Sequence, residues 1–238
     1  MSGANRRVPT IRQFAILFAR DLRQEMHTFD MLSSMGVYAL LVLVIFGVSI
    51  MRGRSGFDTL SISSGLTWAM IVFTSLLGLS RSFVGENADG GLEGVLITPI
   101  DRSVIFLAKA ASNTVFLLIV ESLACPLFYF FFLNSTLPPA QLWLVPLPLL
   151  AGSIGIAGVG TILATITSNA HGKDILLAIL FVPVVFPLLY AVVSATSAVL
   201  TGPDDLAVVF LPSMAVAVGY DVIMVSLSWL LYDFVVSA

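Results

Sequence analysis

Two carboxylates stand out because they lie deep inside long apolar runs of the chain, Glu121 in one run and Asp221 in another. A carboxylate in hydrocarbon is costly, and such groups usually face a bundle interior or an aqueous cavity. No lysine or arginine occurs at a matching depth, so we expect each group to be protonated or hydrogen-bonded to a nearby hydroxyl such as Ser122 or Ser226. Two interpretations are open: a function in coupling or translocation, and a polar clamp between helices.

The most polar internal stretch of the chain extends from residue 86 to residue 102. Acidic residues precede a short apolar turn, and a proline then ends it. The residues that form this pattern are Glu86, Asp89, Gly90, Gly91, Leu92, Glu93, Pro99 and Arg102. A short helix with an apolar ridge and a charged rim is suited to docking on a soluble partner. The alternative is an interfacial helix that caps the bundle.

The sequence carries none of the usual catalytic signatures. GxxxxGK[ST], HExxH and GxSxG are all absent, so nothing indicates an ATPase, a zincin or a serine hydrolase. An intramembrane enzyme built on Glu121 or Asp221 would lack a second catalytic group at a convincing spacing. The single cysteine, Cys125, excludes an intrachain disulfide and a cysteine-based metal site. We therefore predict no catalytic residue and no metal ligand.

Composition indicates the environment in which these residues act. The chain is 58% apolar and only 11% charged, with a mean hydropathy of +1.03. Soluble domains carry about 25% charged residues, so this chain has too little charge to solvate a surface. The apolar residues are continuous and do not alternate with polar ones, which favours helices over strands. A length of 238 residues suits about six membrane-spanning helices.

The spans are predicted within one domain, residues 1–238. They lie at about residues 31–51, 60–81, 103–133, 142–167, 175–200 and 206–232. The third would reach roughly 45 Å against a hydrocarbon core of about 30 Å, so we expect it to project into the cytoplasm with Lys109 near the boundary. The fourth contains Gly152, Gly155, Gly158 and Gly160, a spacing that allows close helix approach in lipid.

The distribution of lysine and arginine predicts the orientation of the spans. With the N-terminus inside, nine of these residues are cytoplasmic and only two, Arg52 and Arg54, are outside. Six crossings then return the C-terminus to the cytoplasm. The early arginines and Asp21 interrupt any signal-peptide pattern, so a cleaved leader is not expected.

The sequence predicts two further features, an amphipathic helix before the first span and a disturbed helix in the fifth span. Residues 9–30 predict an amphipathic helix that lies in the headgroup plane or packs on a soluble partner. Its apolar stripe consists of Ile11, Phe14, Ala15, Phe18, Leu22, Met26 and Phe29. In the fifth span, Pro183 and Pro187 free backbone carbonyls, which predicts a kink, or a broken helix with a re-entrant segment over residues 191–200. The irregularity could serve gating or be a passive kink.

The order of these elements resembles the permease subunits of ABC-2-type exporters, and more narrowly the haem exporter protein B family (CcmB-type). The resemblance covers nearly the whole chain. It rests on residues 20–25 (RDLRQE), on Glu86 to Glu93 with Pro99 and Arg102, on Lys109, and on residues 183–189 (PVVFPLL). The glutamate–glycine–leucine–glutamate segment is shared by ABC-2 permeases in general.

The resemblance implies an all-α permease of six transmembrane helices in the bacterial inner membrane. It also implies an ATP-binding partner subunit, a second permease copy and a haem-handling membrane subunit of cytochrome c maturation, but no nucleic-acid partner. Residues 86–102 would be the coupling segment seated on the ATPase. Haem would be a possible substrate and ATP would bind the partner, with no cofactor held by the chain itself.

Other functions stay open from the sequence. One is an ABC-2 exporter of a lipid, a glycan or a drug, and another is a non-transporting scaffold for an ATPase or assembly complex. His27 and His171 are the only imidazoles, and both are expected on the cytoplasmic surface, far apart in sequence. We interpret them as solvated or interface residues instead of axial haem ligands.

Overall fold

The computed structural model of the chain describes residues 9–52, 59–88, 102–133, 142–168, 170, 172–202 and 206–237. The described residues form seven α-helices and contain no strand. These helices are α1 (Thr10–Thr28), α2 (Asp30–Arg52), α3 (Thr59–Ala88), α4 (Arg102–Phe132), α5 (Pro146–Thr167), α6 (Lys173–Thr201) and α7 (Leu211–Ser237). A 3₁₀ turn at Leu142–Leu144 precedes α5, and a π-helical turn at Leu206–Phe210 precedes α7.

Six of these helices, α2 to α7, are long and apolar enough to cross a membrane. Large apolar side chains such as Val37, Ile179 and Val222 are exposed on their outer faces. A monomeric soluble protein rarely exposes so much contiguous apolar surface, whereas lipid covers it in a membrane. The predicted all-α membrane fold with six spans is therefore confirmed.

The helix α5 lies at the centre of the bundle and packs against α3, α4, α6 and α7. Its glycines allow this close approach, because neighbouring side chains occupy the space that a Cβ atom would need. The indole ring of Trp68 from α3 lies over Gly152, and Leu79 from the same helix lies over Gly160. Asp221 from α7 and Leu188 from α6 both lie against Gly155. Small residues thus set the helix spacing, as expected in lipid.

The amphipathic helix α1 packs against α4 and leads directly into α2. Its only buried residue among those described is Leu17, which lies outside the predicted apolar stripe, while Ile11 and Met26 of that stripe are exposed. The stripe prediction missed Leu17 because apolar residues occur on two faces of α1, and only one face contacts protein. Protein also covers Lys109 of α4, which is 4% exposed.

The helix α6 is continuous from Lys173 to Thr201, so the predicted break in the fifth span is wrong. Pro183 and Pro187 lie inside the helix. A proline removes one backbone hydrogen bond, but neighbouring helices can satisfy the freed groups. Here the hydroxyl of Tyr220 on α7 donates to the carbonyl of Val184 at 2.7 Å, within the proline-containing turn. This contact joins α6 to α7 beside the two prolines.

Among the described residues, most lysines and arginines lie at one end of the bundle. The end of α3 meets the start of α6, and the start of α4 meets the end of α7. A buried apolar cluster joins the same end to α1 through Leu17, Val104, Ile162 and Tyr232. We call this the basic end, because Arg81, Arg102 and Lys173 lie on these helix ends. The opposite end of the bundle is called the far end.

Candidate functional site

The described residues that flank the polar segment predicted at residues 86–102 lie at the basic end, on α3 and α4. The helix α3 continues to Ala88, so Glu86 belongs to its last turn, and Arg102 is the first residue of α4. This extends the second span beyond the predicted limit of residue 81, since polar residues can continue a helix outside an apolar core. The other residues of the prediction, Asp89, Gly90, Gly91, Leu92, Glu93 and Pro99, lie outside the described part of the chain.

Both flanks of this segment contact helices from the C-terminal half of the chain. On one side, the hydroxyl of Ser80 on α3 donates to the carboxylate of Asp174 at the start of α6. On the other side, the guanidinium of Arg102 lies 3.4 Å from the carboxylate of Asp233 on α7. An exposed ion pair such as that of Arg102 and Asp233 contributes little to stability. The significance of both contacts is geometric, because they join the two helices around the segment to α6 and α7.

The carboxylate of Glu121 is buried within the bundle, at the interface of α4 and α5. It is 3% exposed, and the hydroxyl of Ser153 lies 2.8 Å and 2.9 Å from its two oxygens. The prediction that Ser122 is the partner of Glu121 is wrong, because the Ser122 hydroxyl donates to the carbonyl of Ile119 in its own helix. Adjacent residues of a helix point in different directions, whereas Ser153 faces Glu121 from the neighbouring helix.

The second carboxylate, Asp221, lies on α7 against the glycine face of α5. It is 7% exposed, and its Oδ1 atom points at Gly155, where the missing side chain leaves room for it. Among the described residues, Oδ1 has no hydrogen-bond partner, so the expected contact with Ser226 is absent. The structure therefore places Glu121 and Asp221 on either side of α5 and does not join them in one hydrogen-bonded pair.

Hydroxyl, amide and indole groups that sequence reasoning missed form further contacts between the spans. The amide of Asn113 on α4 donates to Thr161 on α5 at 3.0 Å. The indole nitrogen of Trp68 donates to Thr196 on α6 at 2.9 Å. Their signal in the sequence is weak, because single hydroxyl residues are common in membrane helices. These pairs could have been suggested only by polar residues that lie at the same depth in two different spans.

Replacing Ser153 by alanine is expected to weaken the α4–α5 interface. The change removes the hydroxyl donor to Glu121, and hydrogen bonds between membrane helices contribute about 1 kcal/mol. Ser194→Ala is a matched control, since the Ser194 hydroxyl donates to the carbonyl of Tyr190 within α6. Reversible unfolding in mixed detergent micelles measures both variants. Equal free energies of unfolding for the two variants would show that the Ser153 contact contributes nothing.

The imidazoles and other possible metal ligands do not form a centre in the described part of the chain. His27 is exposed at the end of α1, in agreement with a solvated position, and His171 lies outside the described residues. No group of three or more histidine, cysteine, aspartate or glutamate residues is close enough to hold a metal ion among the described residues.

The region of the chain that matches known proteins is nearly the same as the region that forms the bundle. The profile of a family described as "CcmB protein" matches residues 12–228. The heme exporter protein B of Pseudomonas aeruginosa is 28% identical over 189 residues, which cover 79% of this chain and 82% of that protein. That of Rhodobacter capsulatus is 31% identical over 150 residues, covering 63% and 66%. That of Paracoccus denitrificans is 29% identical over 177 residues, covering 74% and 78%.

Proposed function

The chain belongs to the CcmB protein family, and we propose that it is the membrane permease subunit of a haem exporter that serves cytochrome c maturation. In this proposal a separate ATP-binding subunit supplies the energy. The observation that carries the proposal is the family match over residues 12–228, together with relatives named heme exporter protein B. The six membrane helices of the structure support a membrane-embedded transporter subunit.

The geometry of the basic end supports a coupling function for residues 86–102. A partner that pushes on this segment acts first on the end of α3 and the start of α4. The contacts of Ser80 with Asp174 and of Arg102 with Asp233 then carry the displacement to α6 and α7. Four of the six spans would therefore respond to one cytoplasmic event.

The same geometry supports a cytoplasmic position for the basic end in the inner membrane. Arg81, Arg102 and Lys173 all lie at this end, and α1 packs there as well. Arg52 ends α2, which starts beside α1, so it belongs to the far end. Lysine and arginine accumulate on the cytoplasmic side of membrane proteins. Both termini would then be cytoplasmic.

Deletion of the gene, followed by complementation, tests the proposed function. We expect the deletion strain to lose covalently bound haem in its c-type cytochromes and to keep its b-type cytochromes. The wild-type chain expressed in that strain is expected to restore the signal, measured by haem-dependent peroxidase staining after denaturing electrophoresis. Normal c-type cytochromes in the deletion strain would contradict the proposal and favour an exporter of another substrate.

In the same strain, Glu121→Gln and Asp221→Asn are expected to reduce cytochrome c maturation without loss of folded protein. Each amide keeps the size of the side chain but changes its hydrogen-bonding groups next to α5. Asp30→Asn is a control for charge loss, because Asp30 is exposed in the first turn of α2 and takes no part in the proposed coupling contacts. Measured maturation is normalised to the amount of each variant in the membrane. Wild-type maturation in both buried variants would leave the two carboxyl groups with a structural function only.

A further inference from the structure

A cavity of about 550 Å³ lies between the second half of α4 and the segment Leu142 to Leu149 that leads into α5. Small-molecule sites in proteins have volumes of about 300–1,000 Å³ and walls that are mainly apolar. The described residues that line this cavity have that character, because most of them are leucine, proline, valine or aromatic residues. The size and the walls suit a compact apolar molecule, and the charged groups of the lining decide which kind.

Glu121 is the only acidic residue among the described residues that line the cavity, and no lysine or arginine lies with it there. Its side chain is buried in the inner wall and accepts a hydrogen bond from Ser153. The nearest basic residue of α4, Lys109, is twelve residues away, which is about 18 Å along the helix. The helix α5, on the other side of the cavity, contains no charged residue, and neither does the sequence of residues 134–141.

This distribution of charge favours a cation as the ligand. A carboxylate in apolar surroundings is unfavourable unless an opposite charge pairs with it. A cationic ligand supplies that charge, and the attraction between two charges is strong where little water is present. An anion would enter next to an acidic group without any counter-charge. A neutral acyl chain would cover Glu121 without a polar contact, which is also unfavourable.

Glu121 can contact a ligand without losing its contact with α5. The hydroxyl of Ser153 has one proton to donate, whereas the two carboxylate oxygens of Glu121 can accept several hydrogen bonds. Acceptor positions on Glu121 therefore remain for an ammonium group, and its negative charge is equally available to a cation that has no proton to donate. Binding of a cation and packing of the two helices are compatible.

Aromatic side chains line the part of the cavity toward the far end. Tyr129 follows Glu121 by eight residues on the same face of α4, about 12 Å along the helix, and Phe130 is next to it. Aromatic rings pack well against other rings and attract cations to their faces. A ligand with its positive charge beside Glu121 and aromatic groups toward Tyr129 would use both ends of the cavity.

The rim of the cavity determines how a ligand enters. Ser122, Pro126 and Phe130 line the cavity and are exposed on the outer surface of α4. The opening therefore faces sideways, toward the hydrocarbon region that covers this surface in a membrane. A ligand that enters here must first dissolve in the membrane, so its charge must be carried on a large apolar body.

We propose that this cavity binds lipophilic organic cations, which enter sideways from the hydrocarbon region and place their positive charge beside Glu121. The inference goes beyond the proposed function and does not depend on it, because it rests on the lining of the cavity alone. A lipid acyl chain is the competing occupant. It would fill the cavity without any preference for positive charge, so the two occupants can be distinguished.

The test uses the full chain in phosphatidylcholine nanodiscs, with radiolabelled tetraphenylphosphonium as the probe. Tetraphenylborate, measured in separate samples, has the same shape and the opposite charge. Binding to empty nanodiscs is subtracted for both ions. We expect saturable binding of tetraphenylphosphonium to the wild-type chain and at least tenfold weaker binding of tetraphenylborate. Equal affinity for the two ions, or no saturable binding of tetraphenylphosphonium, would overturn the proposal.

Glu121→Gln keeps the size of the side chain and removes its charge, so it is expected to weaken binding of tetraphenylphosphonium about tenfold or more. Asp221→Asn is the matched control, because it removes a buried carboxyl group that does not line the cavity. This control is expected to keep the wild-type affinity.

Wild-type affinity in Glu121→Gln would contradict the proposal, and so would an equal loss of affinity in both variants. If Glu121→Gln does not fold, Ser122→Phe replaces it, because a bulky ring at the rim is expected to weaken binding about tenfold as well. Wild-type affinity in that variant would show that tetraphenylphosphonium binds elsewhere. None of these results changes the outcome of the complementation experiment, which tests the proposed function separately.

Discussion

Leucine in place of Gly152 is expected to prevent the chain from accumulating as a folded bundle. A Cβ atom at this position would overlap the indole ring of Trp68, which is 1% exposed and donates to Thr196 on α6. The ring would have to leave its place between α3, α5 and α6, with a cost of about 3 kcal/mol or more. Thermal denaturation of the purified variant, followed by circular dichroism and size-exclusion chromatography, measures the effect.

Gly36→Leu is the matched control for this prediction. Gly36 lies inside α2, and no atom is close to the place where its Cβ would lie. The same substitution there is expected to leave stability unchanged or to raise it slightly, because glycine is a poor helix former. Similar yields and melting temperatures for both variants would contradict the close packing of Trp68 on α5.

Lysine in place of both Glu86 and Glu93 is expected to abolish stable association with the ATP-binding subunit. The reversal changes the charged rim of the proposed coupling segment, and like charges brought together at an interface cost several kcal/mol. We expect the association to weaken about tenfold or more. Quantitative co-purification from membranes, with the permease as bait, measures the ratio of the two subunits.

Asp30→Lys is the control for a general effect of added positive charge. Asp30 is an exposed residue in the first turn of α2, beside α1 on the proposed cytoplasmic side. This variant is expected to retain the ATP-binding subunit. If the Glu86/Glu93 variant retains the subunit at the wild-type ratio, residues 86–102 are not the coupling segment.

The six spans could be predicted from the sequence because hydropathy is a local property that needs no knowledge of neighbours. Each apolar run of about 20 or more residues corresponds to a helix of the structure, with ends shifted where polar residues continue the helix, as at Ala88. The close packing of α5 could be predicted for a similar reason. Its small residues recur on one face of the helix, which indicates close packing but does not identify the neighbouring helix.

The contacts that depend on a distant partner could not be predicted. The partner of Glu121 is 32 residues away, and the hydroxyl that contacts the proline turn of α6 comes from Tyr220, 36 residues beyond Val184. From the sequence alone, the two prolines indicated a break, whereas the structure has a continuous helix that packs against α7. The buried site of Glu121 arises only when α4 and α5 come together.

Affinity purification of the tagged wild-type chain from its native membrane tests whether the chain is the permease subunit of an ATP-driven exporter. We expect a nucleotide-binding subunit with ATPase activity to co-purify with the chain, together with membrane subunits of cytochrome c maturation. Mass spectrometry identifies the subunits, and ATP hydrolysis by the purified complex shows that they are active. Purification of the intact chain without any nucleotide-binding subunit, in a detergent that preserves known transporter complexes, would contradict the proposed function.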